Sequence, residues 1–103
     1  MWLFLPEGFI SVVAHRKLSD SVLVRGRNAE HLTALFPLHE QLILPAADYR
    51  YRVTVTGEEL AGVIGEHIAN LTYANFKDSI HDYAYHDVCV DVWRSMWAYG
   101  HRQ

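Results

Sequence analysis

The clearest pattern of hydrophobic and polar positions in the chain lies in residues 48–59. There, aromatic and β-branched residues alternate with arginine and threonine. The apolar positions of this alternation are Tyr49, Tyr51, Val53 and Val55. A period of two with one apolar side predicts a strand with one buried face, here over residues 49–56. Thr56 then begins Thr-Gly-Glu-Glu, the spacing of a capping box, so the strand is predicted to run directly into a helix.

Two more strands are predicted earlier in the chain. Residues 9–15 have apolar side chains at both parities, which predicts a central strand over residues 9–16 that is covered, or nearly covered, on both faces. Residues 21–27 alternate again, with Arg25 and Arg27 on the polar side. Because only a short turn separates the two segments, they are expected to pair as an antiparallel hairpin.

Two further segments allow more than one structure. Residues 2–5 precede the turn-forming Pro6-Glu7-Gly8, which fits a short hairpin or a bent first strand. Residues 42–44 fit an edge strand that stops at Pro45, or a packed loop.

Three helices are predicted from caps and helical spacing. The first covers residues 29–36 after Asn28, the second residues 57–71, and the third residues 76–99 after Asn75. The expected inward positions of the first two are Leu32, Leu35, Phe36, Leu60, Ile64, Ile68 and Leu71. The third has an inward row, Ile80, Ala84, Val88, Val92 and Met96, and a neighbouring row, Tyr85, Cys89, Trp93 and Trp97. Gly62 and Gly65 are expected where helix and sheet backbones approach closely.

The order of these elements predicts an α+β fold. An antiparallel sheet with helices packed on one face is expected, and a ferredoxin-like variant is the nearest common architecture. A chain of 103 residues is predicted to form a single domain over residues 1–103.

Composition narrows the class of protein. Half of the residues are hydrophobic and a fifth are charged, which is typical of a globular protein. No apolar run approaches the roughly 20 residues that span a bilayer, and the first ten residues lack the basic start of a signal peptide. Cys89 is the only cysteine, so a disulfide within the chain is excluded and a cytoplasmic location is expected.

Charge is distributed unevenly around a net value of −3. Residues 1–56 hold six Lys or Arg against five Asp or Glu, whereas residues 57–103 hold three against seven. The predicted sheet is therefore slightly basic and the later helices are acidic.

Several short motifs occur together along nearly the whole chain. They are Met-Trp-Leu-Phe at the start, Gly8-Phe9 with Ser11-Val12-Val13, Leu23-Val24-Arg25, Ala47-Asp48-Tyr49-Arg50-Tyr51-Arg52, Asn75-Phe76-Lys77 and Val92-Trp93. In this order they resemble a family of short bacterial proteins of unknown function. The resemblance supports the fold and implies no catalytic residues, because that family has no assigned activity.

An arginine set is the first candidate site. If the strands at 21–27 and 49–56 are neighbours, one sheet face gathers Arg25, Arg27, Arg50 and Arg52. Guanidinium groups bind phosphate or carboxylate, so this face could bind nucleic acid or an acidic protein. It could equally be a solvated face whose charges are countered by Asp20, Glu30 or Asp48. Because Tyr49 and Tyr51 are expected to face the core, the stacking aromatics of an RNA-binding sheet would be missing.

A group of histidines and acids on the third helix is the second candidate. Its members are His81, Asp82, His86, Asp87, Cys89 and Asp91. Such side chains can bind zinc, although a complete site would need ligands from elsewhere, such as His15 or His67. A solvated helix face is the alternative interpretation.

Trp93 and Trp97 form the third candidate, since they lie four residues apart on one helix stripe. They could belong to the core, or to an interface with a partner or a second copy.

The leading hypothesis is a small non-catalytic module that binds a protein partner. No cofactor is expected, because phosphate-binding glycine loops, nucleophile elbows and paired-cysteine zinc motifs are all missing from the sequence. The proposed binding residues are Asp82, Asp87, Asp91, Trp93 and Trp97. An anti-CRISPR-like protein or another mobile-element inhibitor, acting through its acidic helical surface, is one form of this hypothesis. Nucleic-acid binding by the arginine set and a metal-dependent activity around His81 and His86 are the alternatives.

Overall fold

A computed structural model describes residues 1–102 of the chain. It divides into two compact units, Met1–Leu71 and a second unit that begins at Thr72, called unit 1 and unit 2. The single-domain interpretation stays a prediction. The α+β class and the antiparallel sheet are confirmed.

Unit 1 contains one antiparallel sheet of five strands. They are β1 (Trp2–Leu5), β2 (Gly8–Ala14), β3 (Ser21–Gly26), β4 (Leu42–Ile43) and β5 (Tyr51–Thr56). Their order across the sheet is β1-β2-β3-β5-β4. The predicted hairpin of β2 and β3 therefore forms. Of the two structures considered for residues 2–5 the hairpin is the one observed, and of those for residues 42–44 it is the edge strand.

Two helices belong to unit 1, α1 (Ala29–Leu35) and α2 (Gly57–Ala69). Both start where the sequence predicts. The Asn28 side chain accepts a hydrogen bond from the Glu30 N–H, and the Thr56 hydroxyl accepts one from the Glu59 N–H at 3.1 Å. These caps satisfy amide groups that have no partner inside the helix.

The core of unit 1 lies between one face of the sheet and these two helices. Val12, Val24 and Val53 are direct neighbours across β2, β3 and β5 and form its floor. The buried residues of this core are Ile10, Val12, Val24, Leu32, Leu35, Phe36, Val53, Val55 and Leu60. Each large apolar side chain buried in this way stabilises the fold by about 1.5–3 kcal/mol.

The inward row predicted for α2 is correct only at its start. Leu60 is buried and Ile64 packs against the core, but Ile68 and Leu71 are 67 and 49% exposed. The apolar spacing of α2 thus continues beyond the point where the helix packs against the core of unit 1. The close approach predicted at Gly62 and Gly65 is also wrong, because a Cβ at either position would meet no atom within 4 Å.

Unit 2 contains a short 3₁₀ helix (Lys77–Ser79) and the long helix α3 (Tyr83–Gly100). The prediction of one helix over residues 76–99 is therefore wrong in its first turns. Asn75 accepts a hydrogen bond from the Lys77 N–H, but only the 3₁₀ helix follows. Ile80 is extended, and the Asp82 carboxylate accepts from the Tyr85 N–H at 3.0 Å to start α3 anew. Side-chain bonds of this kind compete with a continuing helix.

The burial of α3 differs from the expected pattern. Tyr85 and Cys89, from the neighbouring row, are its buried residues, and Ile80, the first residue of the inward row, is buried just before the helix. Val88 and Met96, from the row predicted as inward, are exposed. In the part of the chain that the structure describes, no helix has the length and apolar character needed to cross a membrane.

Candidate functional site

The arginine set lies on the sheet face opposite the core. Arg25 of β3 is directly opposite Ser11 of β2 on one side and Arg52 of β5 on the other, so these three side chains share a face. Arg27 follows β3 and Arg50 precedes β5, and both are exposed. The strand pairing thus brings Arg25 and Arg52 together as the sequence predicts.

Tyr49 contacts this arginine face, which corrects the prediction that it points into the core. It precedes β5 and is only 6% exposed. The Cζ atoms of Arg25 and Arg27 lie 4.4 and 4.1 Å from the centroid of its ring. Tyr51, one of the two tyrosines predicted to face inward, does pack against the core. The alternation predicted from sequence fails at Tyr49 because the strand starts two residues later.

The guanidinium groups around Tyr49 already have partners inside unit 1. Arg25 Nη2 donates to Ser11 Oγ at 2.8 Å, Arg27 Nη2 to Asp48 Oδ1 at 2.9 Å, and Arg52 Nε to the Tyr49 carbonyl at 3.2 Å. This set of residues around the buried ring is called the Tyr49 cluster. Its contacts hold the loop before β5 against the sheet.

The Tyr49 cluster perturbs the ionisation of its own members. Burial raises the pKa of Tyr49, but hydrogen bonds with Ser11 and Arg27 and the charges of Arg27 and Arg25 outweigh it, so the pKa lies below its usual value. Conversely, the pKa of Arg27 lies above its usual value. The hydrogen bond to Tyr49 is the largest cause; burial lowers the pKa, and the hydrogen bond to Asp48 raises it further. The cluster therefore favours a negative charge on the phenol.

An aromatic group that sequence reasoning missed shares this face. Trp2 pairs with Ser11, and Phe4 pairs with Phe9. The ring centroids of Trp2 and Phe9 are 6.3 Å apart, and those of Phe4 and Phe9 are 4.7 Å apart. Trp2 is 70% exposed. The alternation of aromatic residues at positions 2 and 4 is the signal that could have identified this group.

The second half of α3 carries a large apolar surface. Trp93, Met96 and Trp97 are 50, 60 and 55% exposed, and Tyr99 is exposed as well. The Lys77 ammonium lies 4.1 Å from the Trp93 ring, and the His101 ring stacks on Trp97 at 3.9 Å. Trp93, Met96, Trp97 and Tyr99 are together called the α3 aromatic surface. Both indoles are thus held in place by neighbours within unit 2 and still present area to solvent.

The acidic residues of α3 divide into two roles. Asp82 caps the helix. Asp87 and Asp91 are exposed, and Asp91 lies 3.6 Å from Arg94. Since successive residues turn by about 100°, Asp87 and Asp91 lie on the side of α3 roughly opposite the stripe of Tyr85, Cys89 and Trp93.

The histidine and acid group of α3 does not assemble into a metal site. His86 Nδ1 lies 3.7 Å from Asp87 Oδ1, and His81 is exposed. Among residues 1–102, no three His, Cys, Asp or Glu side chains are grouped so that they could hold a metal. Cys89 is buried, which raises the pKa of its thiol, while a hydrogen bond with Tyr85 opposes the rise. An uncharged buried thiol is a poor nucleophile.

Comparisons with known proteins give no relative: no family model, no curated protein and no solved structure matches the chain. The resemblance to short bacterial proteins stays a prediction.

Proposed function

We propose that the protein is a non-catalytic binding module that acts in the cytoplasm and binds a protein partner through the α3 aromatic surface. The observation that carries the proposal is the exposure of Trp93, Met96, Trp97 and Tyr99 on one half of a single helix. Tryptophan and tyrosine dominate the energetics of protein interfaces, and large exposed apolar patches mark binding surfaces.

The arrangement of the two indoles supports this proposal. The contacts of Lys77 with Trp93 and of His101 with Trp97 restrict both rings before any partner arrives. A surface ordered in advance loses less side-chain entropy on binding. A partner that covers the rings would also strengthen the Lys77–Trp93 interaction by removing water from it.

The chemistry of the surface indicates what kind of partner fits. An apolar helix face binds best in an apolar groove of another protein. Asp87 and Asp91 are exposed on the other side of α3, so Lys or Arg of a partner that also reaches this side would be complementary. An anti-CRISPR-like inhibitor that covers a basic nucleic-acid site is one protein of this description.

The test compares two tryptophan variants in co-purification from the native host. Trp93→Ala/Trp97→Ala removes both tryptophans of the α3 aromatic surface, whereas Trp2→Ala removes an exposed tryptophan of unit 1. We expect a partner that the wild type and Trp2→Ala retain and that the double variant loses. Retention by all three proteins, or no specific retention by the wild type, would contradict the proposal.

A second pair of variants tests the acidic side of α3. Asp87→Asn and Asp91→Asn should weaken binding to the same partner and reduce its dependence on salt, since both remove exposed charge. Asp82 is left unchanged because its substitution would remove a helix cap. Unaltered affinity and salt dependence would show that the partner does not contact Asp87 and Asp91.

Nucleic-acid binding by the arginine face is the second candidate. The observation in its favour is that Trp2, Phe4 and Phe9 share the face of Arg25 and Arg52, which supplies the stacking surface that the sequence appeared to lack. Against it, Arg25, Arg27 and Arg52 are engaged within unit 1.

Fluorescence anisotropy with a labelled single-stranded RNA tests this candidate. Affinity should fall steeply with salt and should drop in both Trp2→Ala and Arg50→Ala, which alter exposed residues outside the core. Absence of binding at low salt would eliminate the candidate.

A further inference from the structure

The outer edge of β4 is an exposed strand edge in unit 1. β4 is the last strand of the sheet and pairs only with β5 among the described residues. Leu42 and Ile43 are 58 and 56% exposed, and Leu44 is 39% exposed. Edge strands present N–H and C=O groups that can pair with another chain.

The register with β5 shows which backbone groups face outward. The Leu44 N–H donates to the Arg50 carbonyl at 2.8 Å, and Ile43 is opposite Tyr51. In an antiparallel pair, hydrogen-bonded and non-bonded positions alternate along the strand. Ile43 occupies a non-bonded position relative to β5, so its N–H and C=O point away from the sheet.

This edge lacks the charges that usually protect such strands. Residues 41–47 read Gln-Leu-Ile-Leu-Pro-Ala-Ala, and the nearest charged residues are Glu40 and Asp48. Natural sheet edges are commonly protected by lysine, inward charges or a bulge. Here pairing is limited by the two-residue length of β4 and by Pro45, which has no N–H to donate.

We propose that a second copy of this chain binds at this edge, with the two β4 strands antiparallel about a two-fold axis at Ile43. Ile43 of each copy would then exchange both backbone hydrogen bonds with the same residue of the other copy. Leu42 of one copy would lie opposite Leu44 of the other, and the reverse. The residues involved belong to unit 1 and include none of α3.

The sequence of the edge favours a second copy as the occupant. A two-fold interface brings the same patch from both subunits together, so the patch must complement itself. In this register apolar side chains meet apolar side chains, and no like charges lie directly opposite each other. Because the paired segment is short, the dimer is expected to be weak and to depend on concentration.

Sedimentation velocity over a concentration series tests the proposal with two matched variants. Ile43→Lys should raise the dimer dissociation constant by about tenfold or more, since two lysines would lie directly opposite each other. Ile68→Lys places the same charge at another exposed isoleucine and should leave dimerisation unchanged. Trp93→Ala/Trp97→Ala should also leave it unchanged. Circular dichroism confirms that each variant is folded.

Two measurements test the register without relying on the lysine variant. Hydrogen exchange at the Ile43 amide of the wild type should slow as protein concentration rises. Ile43→Cys should form an intermolecular disulfide on mild oxidation, whereas Ile68→Cys should not, because only the former places two cysteines directly opposite each other, with Cα atoms about 5.5 Å apart.

Three results would overturn the proposal. They are a monomer at every concentration, a dimer that Ile43→Lys leaves intact, and a dimer that only the tryptophan variant disrupts. The last result would place the contact on the α3 aromatic surface instead.

Discussion

Tyr49 in unit 1 and Trp93 in unit 2 each have a cation over the ring, but their surroundings differ. The Arg27 Cζ atom lies 4.1 Å from the Tyr49 centroid, and the Lys77 ammonium lies 4.1 Å from the Trp93 centroid. Tyr49 is 6% exposed and Trp93 is 50% exposed. A cation–π contact contributes about 0.5–1 kcal/mol in water and about 2 kcal/mol when water is excluded. A cation at the same distance from the ring therefore stabilises the buried Tyr49 cluster in unit 1, whereas in unit 2 half of the Trp93 side chain stays exposed to a partner.

Removing each ring should reveal the largest difference between the two sites, measured as the loss in the free energy of unfolding. Tyr49→Ala deletes a buried ring together with the contacts of Arg25 and Arg27, so we expect a loss of about 3–5 kcal/mol in the free energy of unfolding. Trp93→Ala deletes a half-exposed ring and should cost less than about 1 kcal/mol. Urea denaturation followed by circular dichroism measures both. Equal losses would show that the Trp93 ring is as tightly packed as that of Tyr49.

Removal of the Tyr49 hydroxyl alone should have a smaller effect. Tyr49→Phe keeps the stacked ring but leaves Ser11 and Arg27 without their phenol partner, at a cost of about 1–3 kcal/mol.

The same variant tests the lowered pKa of Tyr49. Because the folded state favours the phenolate, ionisation adds stability as pH rises from the lowered pKa toward the unfolded value of about 10. That contribution is lost as pH falls through the lowered pKa. Ultraviolet difference spectra should show one early tyrosine titration that Tyr49→Phe removes and Tyr83→Phe, at an exposed position, retains. An unchanged titration in Tyr49→Phe would contradict this assignment.

Neutralising the cation in unit 2 should have the smallest effect. Lys77→Met removes the charge above Trp93 and should change the free energy of unfolding by about 0.5–1 kcal/mol at most. Tryptophan fluorescence should change in this variant, because the environment of Trp93 changes. Lys17→Met, at an exposed position far along the chain, provides the control. A much larger loss of stability would mean that the contact is shielded from water.

Local signals in the sequence predicted most of the fold. Asn28 and Thr56 cap α1 and α2 as expected, and the alternation in β3 and β5 gives the observed pairing of Val24 with Val53. These features depend on residues close together in the chain. For that reason they can be read without knowledge of distant contacts.

Features that depend on distant contacts were predicted less well. Periodicity identified the apolar stripes of α2 and α3, but it does not show how far along each helix a covering surface extends, so Ile68 and Met96 were wrongly expected inside. Tyr49 fits the alternating pattern of the strand in the sequence. In the structure it precedes β5, and its ring contacts the guanidinium groups of Arg25 and Arg27.

The candidate surfaces show the same contrast between patterns that can be read locally and contacts between distant residues. Arg25 and Arg52 were predicted to be neighbours, and they are. The aromatic group of Trp2, Phe4 and Phe9 was missed because the pairing of β1 with β2 that assembles it was not resolved from the sequence.

The buried thiol of Cys89 can report how often the structure around it opens in unit 2. It is the only cysteine in the chain, and a reagent can reach it only after the surrounding structure opens. The rate of thiol labelling under native conditions would therefore report the opening frequency at one position of α3, while unit 1 contributes no signal. A partner that closes over the α3 aromatic surface would slow this rate without touching the sulfur.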